Sequence, residues 1–391
     1  MSGIYIHIPF CKQACSYCDF HFSTSLNKKG DLIQAIVKEL ILRKDEILEP
    51  IETIYFGGGT PSILEIKEIK HIISTIYDNY IVINNPEITL EANPDDLSDS
   101  LVMSIHNKEE EKIKNLNIFQ QYKKLGINRL SIGIQSFFDE DLKFMKRAHN
   151  SKEAINSLSI AIRYFDNITI DLIYGTPTLS DDNWRKNIQT TIDLGINHIS
   201  SYALTVEDKT LLSQQIKSKK IKPLDEEKAQ NQFYVLKQTL EANDFIHYEI
   251  SNFGKQDYFS KHNTAYWLGK NYLGIGPSAH SFNGKQRSWN VSNNTKYIKS
   301  LAQNKLPSQI EKLSKNDLYN ETIMIGLRTI YGVSLEAIKT NFGESQLEYL
   351  LKKTVKHLNN ESLEIRQNKL IATKKGLFFI DGIAADLFDV E

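Results

Sequence analysis

From its start to about residue 206, the chain alternates short β-branched runs with helical patterns. That alternation constrains it to parallel strands joined by crossover helices. The strand candidates are Gly3–Ile8, Thr53–Phe56, Glu87–Glu91, Arg129–Ile134, Asn167–Ile173 and His198–Leu204. Between the first two, Asp31 is placed to cap a helix whose apolar residues Ile33, Ile36, Val37, Leu40 and Ile41 form one stripe for burial against a sheet. Intervals of roughly 30 to 45 residues fit a βα repeat. Six such strands predict an α/β fold, a partial (β/α)6 TIM-like barrel over residues 1–225, with chemistry collected at the C-terminal strand ends. The unusual segments HIPFC, GGGTP, EANPDD, QSF and DLIYGTP follow the first five strands in turn.

Beyond the repeat, an amphipathic helix spans Asp225 to Asn243, and FIHYEISNFGK reads as a strand ending in a polar turn. Residues 226–306 are expected to be extra strands and loops over the open side of the barrel. Within them, 258–292 is rich in glycine, aromatic residues and histidine. Residues 307–391 read as a C-terminal helical domain, with helices Lys315–Leu327 and Leu335–Phe342, a Lys/Glu-rich segment and a final short apolar stretch. Residues 98–117, with the charged run Lys108–Lys114, read as an exposed insertion ahead of a helix Ile118–Leu125.

The chain has 47 basic and 48 acidic residues among 391, so no global field draws it to nucleic acid or an acidic membrane. No run of apolar residues is long enough for a transmembrane segment, and MSGIYIHIPF lacks the features of a signal peptide, which points to the cytoplasm. All three cysteines, Cys11, Cys15 and Cys18, lie in one loop, a poor disulfide framework and a good ligand set in a reducing compartment. Three thiolates so spaced can hold three irons of a cubane cluster, leaving one iron open to a chelating amine and carboxylate. A zinc site completed by His7 or His21 is the alternative, disfavoured by the absence of a second C-x2-C knuckle.

On these residues the sequence resembles the radical S-adenosylmethionine (SAM) proteins, in particular the branch containing oxygen-independent coproporphyrinogen III oxidase and the haem chaperones. The shared pattern runs through YIHIPFCxxxCxYCDF, FGGGTP, EANPDD, RLSIGIQSF and DLIYGTP to the C-terminal helices. The resemblance implies a 4Fe-4S cluster on Cys11, Cys15 and Cys18 with SAM on the unique iron. It places Gly58, Gly59 and Thr60 at the amino end of SAM and Tyr5 near SAM and cluster. Glu91, Gln135, Arg147 and Asp171, polar groups at or near strand ends, suit the ammonium, ribose and carboxylate of the same cofactor. Taken singly, each is as readily a structural polar residue, and Asp171 lies inside an apolar strand. The family chemistry is electron transfer from the cluster into the sulfonium, giving a 5′-deoxyadenosyl radical.

Two features separate the branches. The oxidases carry a further cysteine two residues past the third and an extension ahead of the first strand, whereas this chain has Phe20 there and a strand beginning at its third residue. The chaperone branch carries HNxxYW, present as His262, Asn263, Tyr266 and Trp267. Imidazole is a common axial ligand of haem iron and aromatic rings stack on porphyrins, which makes these four residues candidates for haem contact, with His280 as a second histidine. A packing role for the histidine remains open. The expected function is a haem chaperone that passes haem to an acceptor such as a respiratory enzyme, with coproporphyrinogen oxidation as the alternative. A homodimer is compatible with this reading.

Overall fold

A computed structural model of the chain describes residues 2–97 and 117–390. The expected insertion at 98–117 therefore lies outside the described residues, apart from Asn117, whose side chain caps the helix Ile118–Lys124 by accepting from Gln120 N–H.

Six strands, β1 (Ser2–Ile8), β2 (Ile51–Gly58), β3 (Val82–Ala92), β4 (Arg129–Gln135), β5 (Ile168–Tyr174) and β6 (His198–Ala203), pair in parallel and in sequence order. They coincide in place with the six expected strands, several extended by a residue or more at an end. Beyond β6 lie β7 (Ile246–Glu249) and β8 (Asn252–Gly254), an antiparallel hairpin where the sequence suggested one strand and a turn. Beyond β1, β9 (Asn271–Ile275) adds in parallel, followed by the antiparallel β10 (His280–Phe282), β11 (Gln286–Asn290) and β12 (Ser308–Lys312). The 12-stranded sheet is thus open, ending in β12 on one side and β7 on the other.

Its inner strands are buried on both faces, so they read as near-continuous apolar runs. Ile4, Ile6 and Ile8 of β1 and Ile54 and Phe56 of β2 pack under the helices Lys29–Leu42 and Ile66–Asn79 in one large core. Asp31 does not cap the first of these. The helix begins at Lys29, Lys28 is its N-cap without a side-chain bond, and Asp31 sits in the first turn, where its charge favours the positive helix end.

A second apolar core, with Tyr319, Ile323, Ile338, Leu350 and Leu370 at its centre, gathers the C-terminal residues. Besides the two expected helices it holds Glu344–Asn359 and Ile380–Asp386, and a small sheet of β13 (Val333–Ser334), β14 (Leu363–Arg366) and β15 (Lys369–Ala372) that the sequence reading missed. Those strands are short and charged, so their alternation is weak. The HNxxYW segment, expected as loop or short strand, is a helix, Lys261–Trp267, capped by Ser260 and by the Glu87 carboxylate, which accepts from the N–H groups of Lys261 and His262.

Candidate functional site

At the C-terminal ends of β1 to β6 lies a cavity of about 770 Å³. Its wall includes Cys11, Cys15 and Cys18 together with Gly58, Gly59, Thr60, Glu91, Gln135, Arg147, Asp171 and Asn263. Residues far apart in the chain thus meet where parallel strands end, as the repeat required.

The cysteine loop is fastened to the body of the protein on several sides. Cys11 N–H donates to Ser23 O at 3.1 Å, and Ser16 N–H to Met145 O at 3.1 Å. The Ser16 hydroxyl donates to Phe144 O, and Gln13 donates to Lys146 O at 2.8 Å. Lys12 reaches across to Asp95 at 3.0 Å and to Asp96, tying the loop to the segment after β3. Gly59 follows β2 so closely that a Cβ there would stand 2.5 Å from Phe10 O and 3.0 Å from the Cys11 sulfur, so only glycine lets the two loops meet.

Around the thiols, the Thr60 hydroxyl and the Arg147 guanidinium supply donors, 3.5 Å from the sulfurs of Cys11 and Cys15 respectively. Arg147 also donates to Asn93 Oδ1 at 2.6 Å and to Gly133 O at 2.9 Å, while its Nε is buried without a partner. Burial pushes the Cys18 thiol up to about 11 and raises that of Cys11, against the bond from Thr60. The free thiols of Cys11 and Cys18 therefore keep their protons at neutral pH, and a metal must displace them. Among the described residues, no three His, Cys, Asp or Glu side chains already converge as they would around a single metal ion. His7 and His21, which could complete a zinc site, are engaged elsewhere: His7 Nε2 lies 3.0 Å from His21 O, and His21 Nε2 lies 2.8 Å from Asn294 Oδ1.

Glu91 accepts from the Tyr55 hydroxyl at 2.9 Å and from Gly58 N–H at 3.2 Å. Burial, reinforced by the charge of Asp171, pushes it up to about 7 despite those bonds. Asp171 is likewise pushed up to about 6 by burial, opposed by Arg147 and Arg129. A cation beside the two carboxyls would offset their mutual repulsion and the cost of ionising them in a buried place. Gln135 ends β4 in the left-handed region at φ 64°, beyond a break in the β4–β5 register, a strain of about 1–3 kcal/mol held at the cavity wall. Tyr5 is the candidate that does not line the cavity; its hydroxyl lies 3.2 Å from His7 Nδ1, and its ring stands behind Gly57.

His262 does not line the cavity. It is 2% exposed, packed over β1 and β2, and neither ring nitrogen is available to iron in this conformation. Nδ1 lies 2.7 Å from Thr53 Oγ1 and Nε2 2.7 Å from the Tyr266 hydroxyl. Burial lowers its pKa to about 3, so the ring is neutral. Gly3 makes room for it, since a Cβ there would meet Thr53 and His262 at 2.6 and 3.1 Å. Tyr266 packs edge-on against Tyr272, and Trp267 lies under the Arg328 guanidinium, 5.3 Å from its ring centre. Asn263 is the motif residue on the cavity wall. His280 is exposed on β10, stacked on Trp289, away from that wall. Phe20 is 68% exposed at the mouth of the cavity.

Sequence reasoning missed Tyr55, Asn93 and Arg328. Tyr55 and Asn93 were within reach, since Tyr55 precedes Gly57 by two residues on the same strand face and Asn93 stands inside EANPDD. Arg328 carried no signal, because its place depends on how the C-terminal core meets the barrel.

Residues 5–190 match the model of the radical SAM superfamily, and residues 313–379 that of the HemN C-terminal domain. The chain is 32% identical over 370 residues to the heme chaperone HemW of Bacillus subtilis, covering 93% of this chain and 92% of that one. It is 30% identical over 378 residues to HemW of Lactococcus lactis, covering 96% and 94%. Among solved structures it resembles the coproporphyrinogen III oxidase HemN of Escherichia coli, with a TM-score of 0.81 over 100% of this chain and 90% of that one, at 19% identity. At that identity the likeness concerns the fold.

Proposed function

Since the chain belongs to the HemW family of radical SAM proteins, we propose that it binds haem, a 4Fe-4S cluster and SAM, and passes the haem to an acceptor protein such as a respiratory enzyme. The observation that carries the cofactor part is the gathering of the three cysteines and the two raised carboxyls around one cavity. Supporting the haem part are the family's chaperone members and Phe20 where the oxidases place a further cysteine.

The residues present fit the implied cofactors. The cradle at Gly59 admits no side chain beside Cys11, Arg147 Nε is buried and unpartnered, and the three thiols share a wall with hydrogen-bond donors suited to sulfur. In this reading Cys11, Cys15 and Cys18 hold the cluster, and Gly58, Gly59, Thr60, Glu91, Gln135, Arg147 and Asp171 hold SAM, with Tyr5 supporting Gly57 from behind. When bound, cluster and SAM supply one-electron chemistry at the sulfonium. Glu91 and Asp171 favour the cationic ligand, Arg147 steadies thiolate charge at Cys15, and the fastened cysteine loop keeps the ligand set in register. For haem, the helix Lys261–Trp267 is assigned the contact, with Asn263 as its residue on the cavity wall and His262, Tyr266 and Trp267 supporting it from behind.

The test is reconstitution without oxygen, followed by titration with haem and, in parallel, by coproporphyrinogen with SAM and a reductant. Saturable haem binding without decarboxylation is expected, with iron and sulfide lost on Cys11→Ala, Cys15→Ala or Cys18→Ala. Steady loss of carboxylate from the porphyrinogen would overturn the chaperone reading.

A further inference from the structure

We propose that Arg328 is the carboxylate-binding residue for the cargo and that Asp381 occupies it until the cargo arrives; this rests on the haem reading above. The cavity wall carries two cationic side chains among its described residues, Arg147 and Arg328. Arg147 is already committed to Cys15, Asn93 and Gly133 at the cysteine end. The rest of the charged wall is acidic, so a ligand with a carboxylate edge has one place to put it.

Arg328 is built for that role. Its backbone carbonyl accepts from Ile250 N–H at 2.8 Å, and Ile330 N–H donates to Tyr248 O at 3.1 Å, which fixes the segment to the β7–β8 hairpin. From that fixed base the guanidinium lies over Trp267, and its Nη1 donates to Asp381 at 2.7 Å while Nε is buried without a partner. A planar guanidinium steadied from behind by an indole is a two-pronged donor on the cavity wall, the complement of a ligand with a carboxylate edge. Asp381 is 60% exposed, so it can swing into water when a better-placed carboxylate takes the guanidinium. The pair also joins the HNxxYW helix to the C-terminal core, so cargo arrival would be felt there.

Haem and haem dimethyl ester, titrated against wild type, Arg328→Gln, Arg328→Lys and Asp381→Asn and followed by Soret absorbance, separate the possibilities. Wild type should prefer the free acid over the ester roughly ten-fold, as expected for a charge-assisted pair. Arg328→Gln should erase that preference by weakening haem alone, Arg328→Lys should keep part of it, and Asp381→Asn should tighten haem binding several-fold. Retention of the full preference in Arg328→Gln, or unchanged haem affinity in Asp381→Asn, would overturn the assignment while leaving haem binding intact. Failure of wild type to bind either form would instead overturn the haem reading and this assignment with it.

Discussion

The Arg147 guanidinium stands 3.5 Å from the sulfur of Cys15 and is held there by a second nitrogen that donates to Asn93 and Gly133. A fixed cationic donor at that distance is placed to meet the charge of a sulfur that ligates metal. Replacement by methionine keeps the bulk and removes the charge and the donors. Arg147→Met should lower the affinity for iron roughly ten- to hundred-fold, read as iron retained after desalting, the equivalent of a charge-assisted bond of about 1.5–3 kcal/mol. Iron retention equal to wild type would show that Cys15 does not depend on this contact.

Glu91 titrates at about 7 in the folded chain against an ordinary 4.5. A carboxyl raised by folding holds its proton longer in the native state, so its contribution is intact below pH 4.5 and is lost as pH rises through 7. At about 1.4 kcal/mol per pH unit the loss is about 3 kcal/mol. In the metal-free protein, Glu91→Gln should therefore gain stability over wild type between pH 4.5 and 7.5 by up to that amount, measured by urea unfolding at each pH. SAM binding should show the opposite slope, weakening in wild type as pH falls below 7, because the ammonium is met by the ionised carboxylate. A pH-independent difference between the two proteins would refute the assignment.

His262 joins Thr53 and Tyr266 inside the core. Deleting it strands two hydroxyls and leaves a void, so His262→Ala should cost about 2–4 kcal/mol of stability. The Soret position of whatever folded protein still binds haem should stay where it is in wild type. A shifted Soret band at unchanged stability would mean that the imidazole leaves the core to ligate iron.

Gly59→Ala tests the close approach of the two loops. Its Cβ would meet Phe10 O at 2.5 Å and Phe10 N at 2.9 Å, both backbone atoms that cannot yield without moving the cysteine loop. The expected result is loss of cluster reconstitution, read by iron and sulfide content, with near-wild-type far-UV circular dichroism. Full reconstitution would show that the loop has room to move.

Much of this architecture could be read in the residues, because parallel strands buried on both faces announce themselves as apolar runs and their ends fall at fixed places in a βα repeat. The cavity residues from Cys11 to Asp171 lie on those strands or in the segments that follow them, and it is their match to the motifs of a known family, more than their spacing, that singled them out. The HNxxYW segment was harder. Its polar residues and short length hide a helix whose start is fixed by Glu87, far away in the sequence. The burial of His262 depends on space at Gly3, another distant partner. Arg328 lies on the C-terminal core and reaches the cavity only through the docking of that core against the β7–β8 hairpin. Asp31 misled because it is a good capping residue, yet the helix had already begun at Lys29.

A haem chaperone carries haem in order to give it away. The direct measurement loads the reconstituted protein with haem, mixes it with an acceptor apoprotein, such as the haem-free form of a respiratory enzyme, and follows the haem through a dialysis barrier or by size separation. Haem is expected to leave this chain and appear in the acceptor faster than from free haem diluted to the same level. Haem that stays bound, or that reaches the acceptor no faster than free haem, would contradict it.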